Sequence, residues 1–204
     1  QAAGTSLTAV APAPASSAPL SYLPTSLAVR ARELTVGGRK LHDVVVGGSR
    51  EGLLWRTNLD ARELNGYLEY RQPSGAGEGR VHARLARLTI APSIASDVEA
   101  LLNAQPASIP ALDVVVDDFE LRGKRLGRVE VEAINRNTAQ DGRVREWRLN
   151  KLNVITPEAV FTATGNWASI NASARRRTVL DFKLAIADGG ALLSRMGMTD
   201  VVRK

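Results

Sequence analysis

Beyond residue 26 the chain alternates apolar and polar side chains over runs of eight to ten positions. That is the period of a strand with one buried and one wet face. A first strand is predicted from Leu27 to Val36, a turn at Gly37 and Gly38, and a return strand from Leu41 to about Ser49. "LLWRTNLD" supplies a third strand, "ELNGYLEYR" a fourth and "RVHARLARLTI" a fifth. The period then changes, and "SDVEALLNA" reads as a short helix capped by Ser96 with Glu99 three positions on.

The order then repeats. "ELTVGGRKLHDVVV" (33–46) returns as "FELRGKRLGRVEV" (119–131), and setting Gly38 on Gly123 gives an offset of 85 residues. Leu34, Val36, Leu41, Val44 and Val46 then fall on Phe119, Leu121, Leu126, Val129 and Val131. Strands are expected at Leu112–Leu121, Leu126–Ile134, "RVREWRLNKLNVI", "EAVFTATGNW" and "RTVLDFKLAIA", with "DGGALLSRM" as the second helical piece. Trp55 matches Trp147 at an offset of 92, which places the extra residues in the loop "NRNTAQDGR".

Both copies share an irregularity. Leu27, Val29 and Ala31 change parity to Leu34 and Val36, and Leu112, Val114 and Val116 change parity to Phe119 and Leu121. One extra residue near Arg32-Glu33 and Asp117-Asp118 implies a β-bulge in the first strand of each copy. The expected fold is mainly β: two tandem five-stranded antiparallel repeats in one long curved amphipathic sheet, with short helical crossing segments. The divisions are a linker or loop at 1–26, a first repeat with its crossing segment at 27–111, a second repeat at 112–198 and a tail at 199–204.

Composition narrows the function. The 27 basic and 21 acidic residues are interspersed, giving +6 without a basic block. Such a pattern fits a solvated polar face better than a nucleic-acid footprint. There is no Cys, hence no disulfide or thiolate metal site, and His42 and His82 lack metal-ligand spacing. No cofactor is expected. The Ala, Pro and Ser-rich head carries no charge before Arg30, yet Pro12, Pro14, Pro19 and Pro24 interrupt it and it contains no basic n-region. Neither a signal peptide nor a membrane span of about 20 apolar residues is expected.

Four local features have a chemical reading. "GGRK" and "RGKR" could cradle an anion, but a hairpin turn itself calls for Gly beside exposed cations. Asp117 and Asp118, adjacent on a strand, point to opposite faces and suit a bulge better than acid–base work. Arg175 to Arg177 form the densest positive run, read as a solvated strand start or a contact to anionic headgroups. No catalytic constellation emerges, so an enzyme is not expected.

The apolar face is the stronger candidate. On it the alternation places Trp55 and Leu59 from the first repeat, and Val114, Val116, Val129 and Val131 from the next hairpin. Trp147, Leu149 and Phe161 follow, and Leu180, Phe182, Leu184 and Ile186 complete the lining. The helical pieces are too short to cover such a surface, although a sandwich core has the same alternation.

"LDVVVDDFELRGKRLGRVEVEA", "EWRLNKLNVITPEAVFTATGNW" and "RRTVLDFKLAIADGGALLSRMGM" resemble the YhdP family of AsmA-like envelope proteins of Gram-negative bacteria, over about residues 27–198. The resemblance implies repeating β-groove units of five strands and a crossing loop, periplasmic, held to the inner membrane by an anchor outside this sequence. It also implies carriage of phospholipids towards the outer membrane and maintenance of its barrier. Expected partners are phospholipids, flanking repeats of a longer chain and the inner membrane, with no nucleic acid. The alternative readings are a non-catalytic envelope scaffold and an outer-membrane barrel, the latter disfavoured by few aromatics and no girdles.

Overall fold

A computed structural model describes residues 25–36, 39–74, 78–91, 109–137, 145–170 and 175–198. The strands are β1 (Ser26–Val36), β2 (Arg39–Glu51), β3 (Leu54–Asp60), β4 (Leu64–Arg71) and β5 (Arg80–Ile90), then β6 (Ala111–Leu121), β7 (Lys124–Asn137), β8 (Arg145–Ile155), β9 (Ala159–Ile170) and β10 (Arg175–Ile186). One helix of seven residues, α1 (Gly189–Arg195), follows β10. The strands lie in a single ten-stranded sheet in sequence order. The architecture is the mainly β amphipathic sheet that the alternation implies. The proposed helix at "SDVEALLNA", the head to residue 24 and the tail from 199 fall outside the described residues.

Every neighbouring pair is antiparallel except β5 and β6, which run parallel from Arg80↔Ala111 to Ile90↔Leu121. Parallel neighbours need a crossover long enough to return the chain to its starting end, and residues 91–110 provide it. This parallel seam, where the two sequence copies meet, was not expected from the alternation. Outside the apolar face, Asp113 of β6 stitches the seam to His82 at 3.0 Å and to Arg84 at 2.8 Å, both on β5.

The parity change is present in both copies; the expected bulge is found in the second, where Asp117 and Asp118 oppose Arg128 alone, but the mechanism expected for the first needs correction. β1 and β2 hold one register from Ser26↔Ser49 to Val36↔Arg39, interrupted only opposite Arg32 and Asp43. Asp43 has φ 54° there, so both strands change face together and neither gains a residue over its partner. In the second copy the β6–β7 register breaks on both sides of Phe119 and then resumes, with Gly127 at φ 70°. Paired irregularities bend the sheet while keeping the outlying partners aligned; an unpaired bulge would carry every later residue to the wrong face.

The turns follow from local chemistry. Arg122 and Gly123 take positive φ of 52° and 74° between Leu121 and Lys124, the signature of a two-residue hairpin turn whose twist suits the flanking strands. The β3–β4 and β8–β9 turns are copies: the Ala61 N–H donates to the Leu64 carbonyl at 2.8 Å, and the Thr156 N–H donates to the Ala159 carbonyl at 2.9 Å. The offset between these turns is 95 residues, so the Trp55–Trp147 match at 92 is not carried through to them.

Gly66 marks the tightest approach between β4 and β5. It has φ +145°, and a Cβ there would run into the Arg84 carbonyl oxygen and lie 2.7 Å from Leu85 Cα. Gly66→Ala is therefore expected to cost about 1–3 kcal/mol. Gly47→Ala, where a Cβ meets nothing within 4 Å, is expected to leave the urea midpoint unchanged. Equal midpoints for the two variants would contradict this account of Gly66.

Candidate functional site

Side chains directly opposite on paired strands share a face, so the register fixes which residues meet. Val29, Val46, Leu59, Gly66 and Leu85 are successive partners from β1 to β5. The series crosses the parallel seam to Val116 and continues through Val129, Val154 and Phe161 to Leu184 on β10. One apolar row thus spans all ten strands, interrupted by no charged residue.

A second row lies beside it. Leu27, Gly48, Thr57, Leu68 and Ala83 lead across the seam to Val114, Val131, Leu152, Ala163 and Phe182. A third starts at Trp55 on β3 and passes Tyr70, Val81, Leu112, Ala133, Leu149 and Gly165 to Leu180. Trp147 pairs with Trp167 next to this row, and Ile186 pairs with Ala159 beyond the first. The register therefore brings together all thirteen residues placed on the apolar face by sequence.

Sequence reasoning passed over several members of the same face. Val46, Leu85, Leu152 and Val154 sit in the rows, and Trp167 is buried beside Trp147. Their parity with residues already chosen was the available signal: Trp167 follows Phe161, Ala163 and Gly165 at steps of two. Gly66 and Gly165 share this parity, but their role as places of close strand approach had no signal, because it is the absence of a side chain. A Cβ on Gly165 would collide with the Val179 carbonyl oxygen, and the Leu180 side chain closes over the space at 3.2 Å.

Accessibility follows position in the sheet. Val44, Val116, Val129, Ala133 and Leu149 are buried, whereas Leu180, Phe182, Leu184 and Ile186 on the last strand are exposed. Phe182 stacks on Phe161 with centroids 6.0 Å apart. A concavity of about 490 Å³ opens on this face between β7 and β10, with Val131, Leu149, Leu152 and Leu180 along it and both Trp147 and Trp167 at one side. The Trp147 indole N–H donates to the Pro110 carbonyl at 3.2 Å, so its polar edge is satisfied while the ring remains on the apolar face.

The opposite face is a ladder of polar and charged side chains of both signs. Arg56, Glu69, His82, Asp113, Glu132 and Lys151 are successive partners from β3 to β8. Close by, Glu130 accepts from Lys151 at 2.5 Å and from Arg128 at 3.0 Å, and these cations hold its carboxyl below the ordinary range. Such exposed pairs add little stability individually. Their consequence is that one face is wetted along its length while the other presents no charge across the rows.

The histidines are structural neighbours of single carboxylates. Glu63 accepts from the His42 backbone N–H at 2.9 Å and lies 2.5 Å from its Nδ1, fixing the place where β2 changes face. Among the described residues no group of three or more His, Asp or Glu is placed to hold a metal ion. Asp117 pairs with Arg128 at the face change, where it and Asp118 form the bulge of β6 against β7. The side chains of Arg175 to Arg177 lie outside the described set.

Glu158, at the position in the β8–β9 turn that Glu63 holds in the β3–β4 turn, grips α1 instead. Its carboxylate accepts from Arg195 Nε at 2.8 Å and from Nη2 at 2.7 Å, while Arg195 Nη1 reaches the Arg125 carbonyl at 3.3 Å. Thr156 closes the same turn, its Oγ1 accepting from the Ala159 N–H at 3.0 Å. The chain after β10 is thus led back across the ends of β9 and β8 towards β7.

These features define a class: an open, single-layer repeat protein with one continuous apolar face and one charged face. Residues 5–204 match the family described as YhdP protein, and the chain belongs to the YhdP family. The match takes in the Ala and Pro-rich stretch from residue 5, beyond the span on which the sequence phrases rest. The searches of curated proteins and of solved structures found no match. No helix among the described residues is long and apolar enough to cross a membrane.

Hydrogen bonding to Arg195 is the leading cause that holds the Glu158 carboxyl down at about 2, from an ordinary value of 4.5. Because the folded value is the lower one, the stabilisation is fully present above pH 4.5 and is lost as pH falls through about 2. The gap in urea midpoint between the wild type and Glu158→Gln is expected to be constant from pH 7 to about 5 and to close as pH approaches about 2. A gap of the same size at both ends would show that the ion pair does not stabilise the fold.

Proposed function

We propose that this chain is a segment of a periplasmic, bridge-like lipid transport protein whose apolar face carries phospholipid acyl chains between the inner and outer membranes. One observation carries the reading: rows of apolar partners run unbroken over the ten strands, at right angles to them, with no second sheet over them among the described residues. A sandwich core needs a facing layer, and a face of this length without one is suited to a ligand as long as itself. YhdP family membership supports the envelope setting and a role of the lipid-transport kind.

The dimensions fit. Ten strands at about 4.8 Å spacing extend the rows to roughly 45 Å. An acyl chain occupies about 15 Å, half of a hydrocarbon core about 30 Å thick. Several chains could lie end to end along the face with their polar ends outside its rim. Transfer then needs no bond-making. A chain that slides from one row position to the next stays out of water, avoiding about 0.8 kcal/mol for each methylene otherwise exposed. The charged ladder keeps the back of the sheet solvated. Phospholipids, flanking repeats and an inner-membrane anchor elsewhere in the full-length protein complete the picture, and neither nucleic acid nor a cofactor has a part in it.

Phe182→Asp with Leu184→Asp places two charges in the rows on an exposed strand, where substitution costs the fold little. Phospholipid co-purifying with the chain, measured by mass spectrometry, is expected to fall several-fold, while Lys183→Asp on the charged face leaves it unchanged. Undiminished lipid in the double variant, or wild-type chain without lipid, would favour an envelope scaffold over a conduit.

A further inference from the structure

We propose that the apolar face holds phospholipids in one orientation: the phosphodiester leaves the face at the rim lined by the tryptophans, where Arg71 and Arg80 receive it, and not at the opposite rim. This deepens the lipid reading of the face and rests on it.

The aromatic side chains divide across the face by their polarity. From the rim at which β5 ends, the face steps from Phe119 through the rows ending at Leu184 and Phe182 to the row of Trp55 and Tyr70, and then to the Trp147–Trp167 pair. All three tryptophans of the chain thus stand near the rim where β4 ends and β5 begins. Its three phenylalanines stand elsewhere, Phe161 and Phe182 within the rows and Phe119 towards the other rim. Trp and Tyr favour a boundary that is apolar on one side and wet on the other, whereas Phe has no polar atom to place there. The partition therefore marks one rim as the polar boundary of whatever lies on the face. The concavity of about 490 Å³ opens on the same side, against Trp147 and Trp167.

Charge follows the same division. Arg50, the cross-strand partner of Trp55, holds its guanidinium 5.7 Å from the centre of the indole, so the third row meets a cation at this rim. One residue further out, Arg71 and Arg80 are direct partners on β4 and β5; both are exposed, and among the described residues neither has a carboxylate partner. By parity they belong to the charged face, but at the strand ends their long side chains can reach round the rim. Like charges directly opposite one another work against strand pairing. An anion between them turns that repulsion into a site, and guanidinium groups match the geometry of phosphate oxygens.

The opposite rim lacks this character. There Lys40 is answered by Glu33 at 2.8 Å, Arg62 by Asp43 at 2.6 Å and Arg195 by Glu158 at 2.7 Å. α1 also lies across the ends of β9 and β8 on that side, with Leu192, Leu193 and Met196 half-buried. A headgroup finds fewer unanswered cations and less open face there.

Because every tryptophan stands near the one rim, intrinsic indole fluorescence reports on that rim alone. The chain is loaded from vesicles of a phosphatidylcholine bearing a nitroxide quencher either on its headgroup or at the end of an acyl chain, then separated from the vesicles by flotation. The headgroup label is expected to quench several-fold more strongly than the acyl-end label at equal bound lipid. Arg71→Gln with Arg80→Gln is expected to bring the two labels close to equality without lowering the urea midpoint, while Lys124→Gln at the other rim leaves the difference intact. Bound lipid with equal quenching in the wild type, or stronger quenching by the acyl-end label, would overturn the orientation and leave the lipid reading standing. No bound lipid by phosphorus assay would overturn both. Release of bound lipid by millimolar inorganic phosphate would assign the arginines to a free anion and overturn the orientation alone.

Discussion

Lateral register is the constraint on which everything else in this protein depends. In a single open sheet a strand's backbone groups are satisfied only by its two neighbours, and side chains alternate faces at every residue. A slip of one residue between any two strands would send all later apolar side chains to the wet face. The rows from Val29 to Leu184 and from Leu27 to Phe182 persist across nine successive pairings. The irregularities at Asp43 and around Phe119 conform to this demand: each is matched on the neighbouring strand, so the sheet bends without losing its alignment.

The two faces solve opposite problems with the same alternation. One must remain apolar without a second layer, and it does so with β-branched residues crowded by their cross-strand neighbours and with glycines where strands come closest. The other must hold water along its length, and it carries charges of both signs from Arg56 to Lys151. The turn acids show how a copied element acquires a new use. Glu63 fixes the β2 backbone at His42, whereas Glu158, from the equivalent turn, fastens the helix that follows β10.

Much of this was legible in the residues. The strand of "RVHARLARLTI" has the bounds its alternation predicts, and the other nine differ by a few residues at their ends. The face of each candidate residue was readable because parity within a strand is local, and because the 85-residue match tied one hairpin to the other. Less could be read where a feature depends on two strands at once. From β1 alone, the change at Arg32-Glu33 implies an added residue; only β2, changing face opposite it, reveals the compensation. The match of Trp55 to Trp147 likewise ignored the extension of the β8–β9 hairpin, visible once both turns are superposed by their hydrogen bonds.

Alternation, the glycine turns and the internal copy were enough to determine ten amphipathic strands in two related sets and the residues each would bury. These are properties of neighbours along the chain, set by side-chain direction and turn chemistry. The tertiary structure alone decided that β5 and β6 pair in parallel and that the apolar rows run through that seam in register. Pairing between strands joined by a long crossover carries no local signature, because its direction is chosen by where the chain returns and by the burial gained when Val114 and Val116 come to rest beside Ala83 and Leu85.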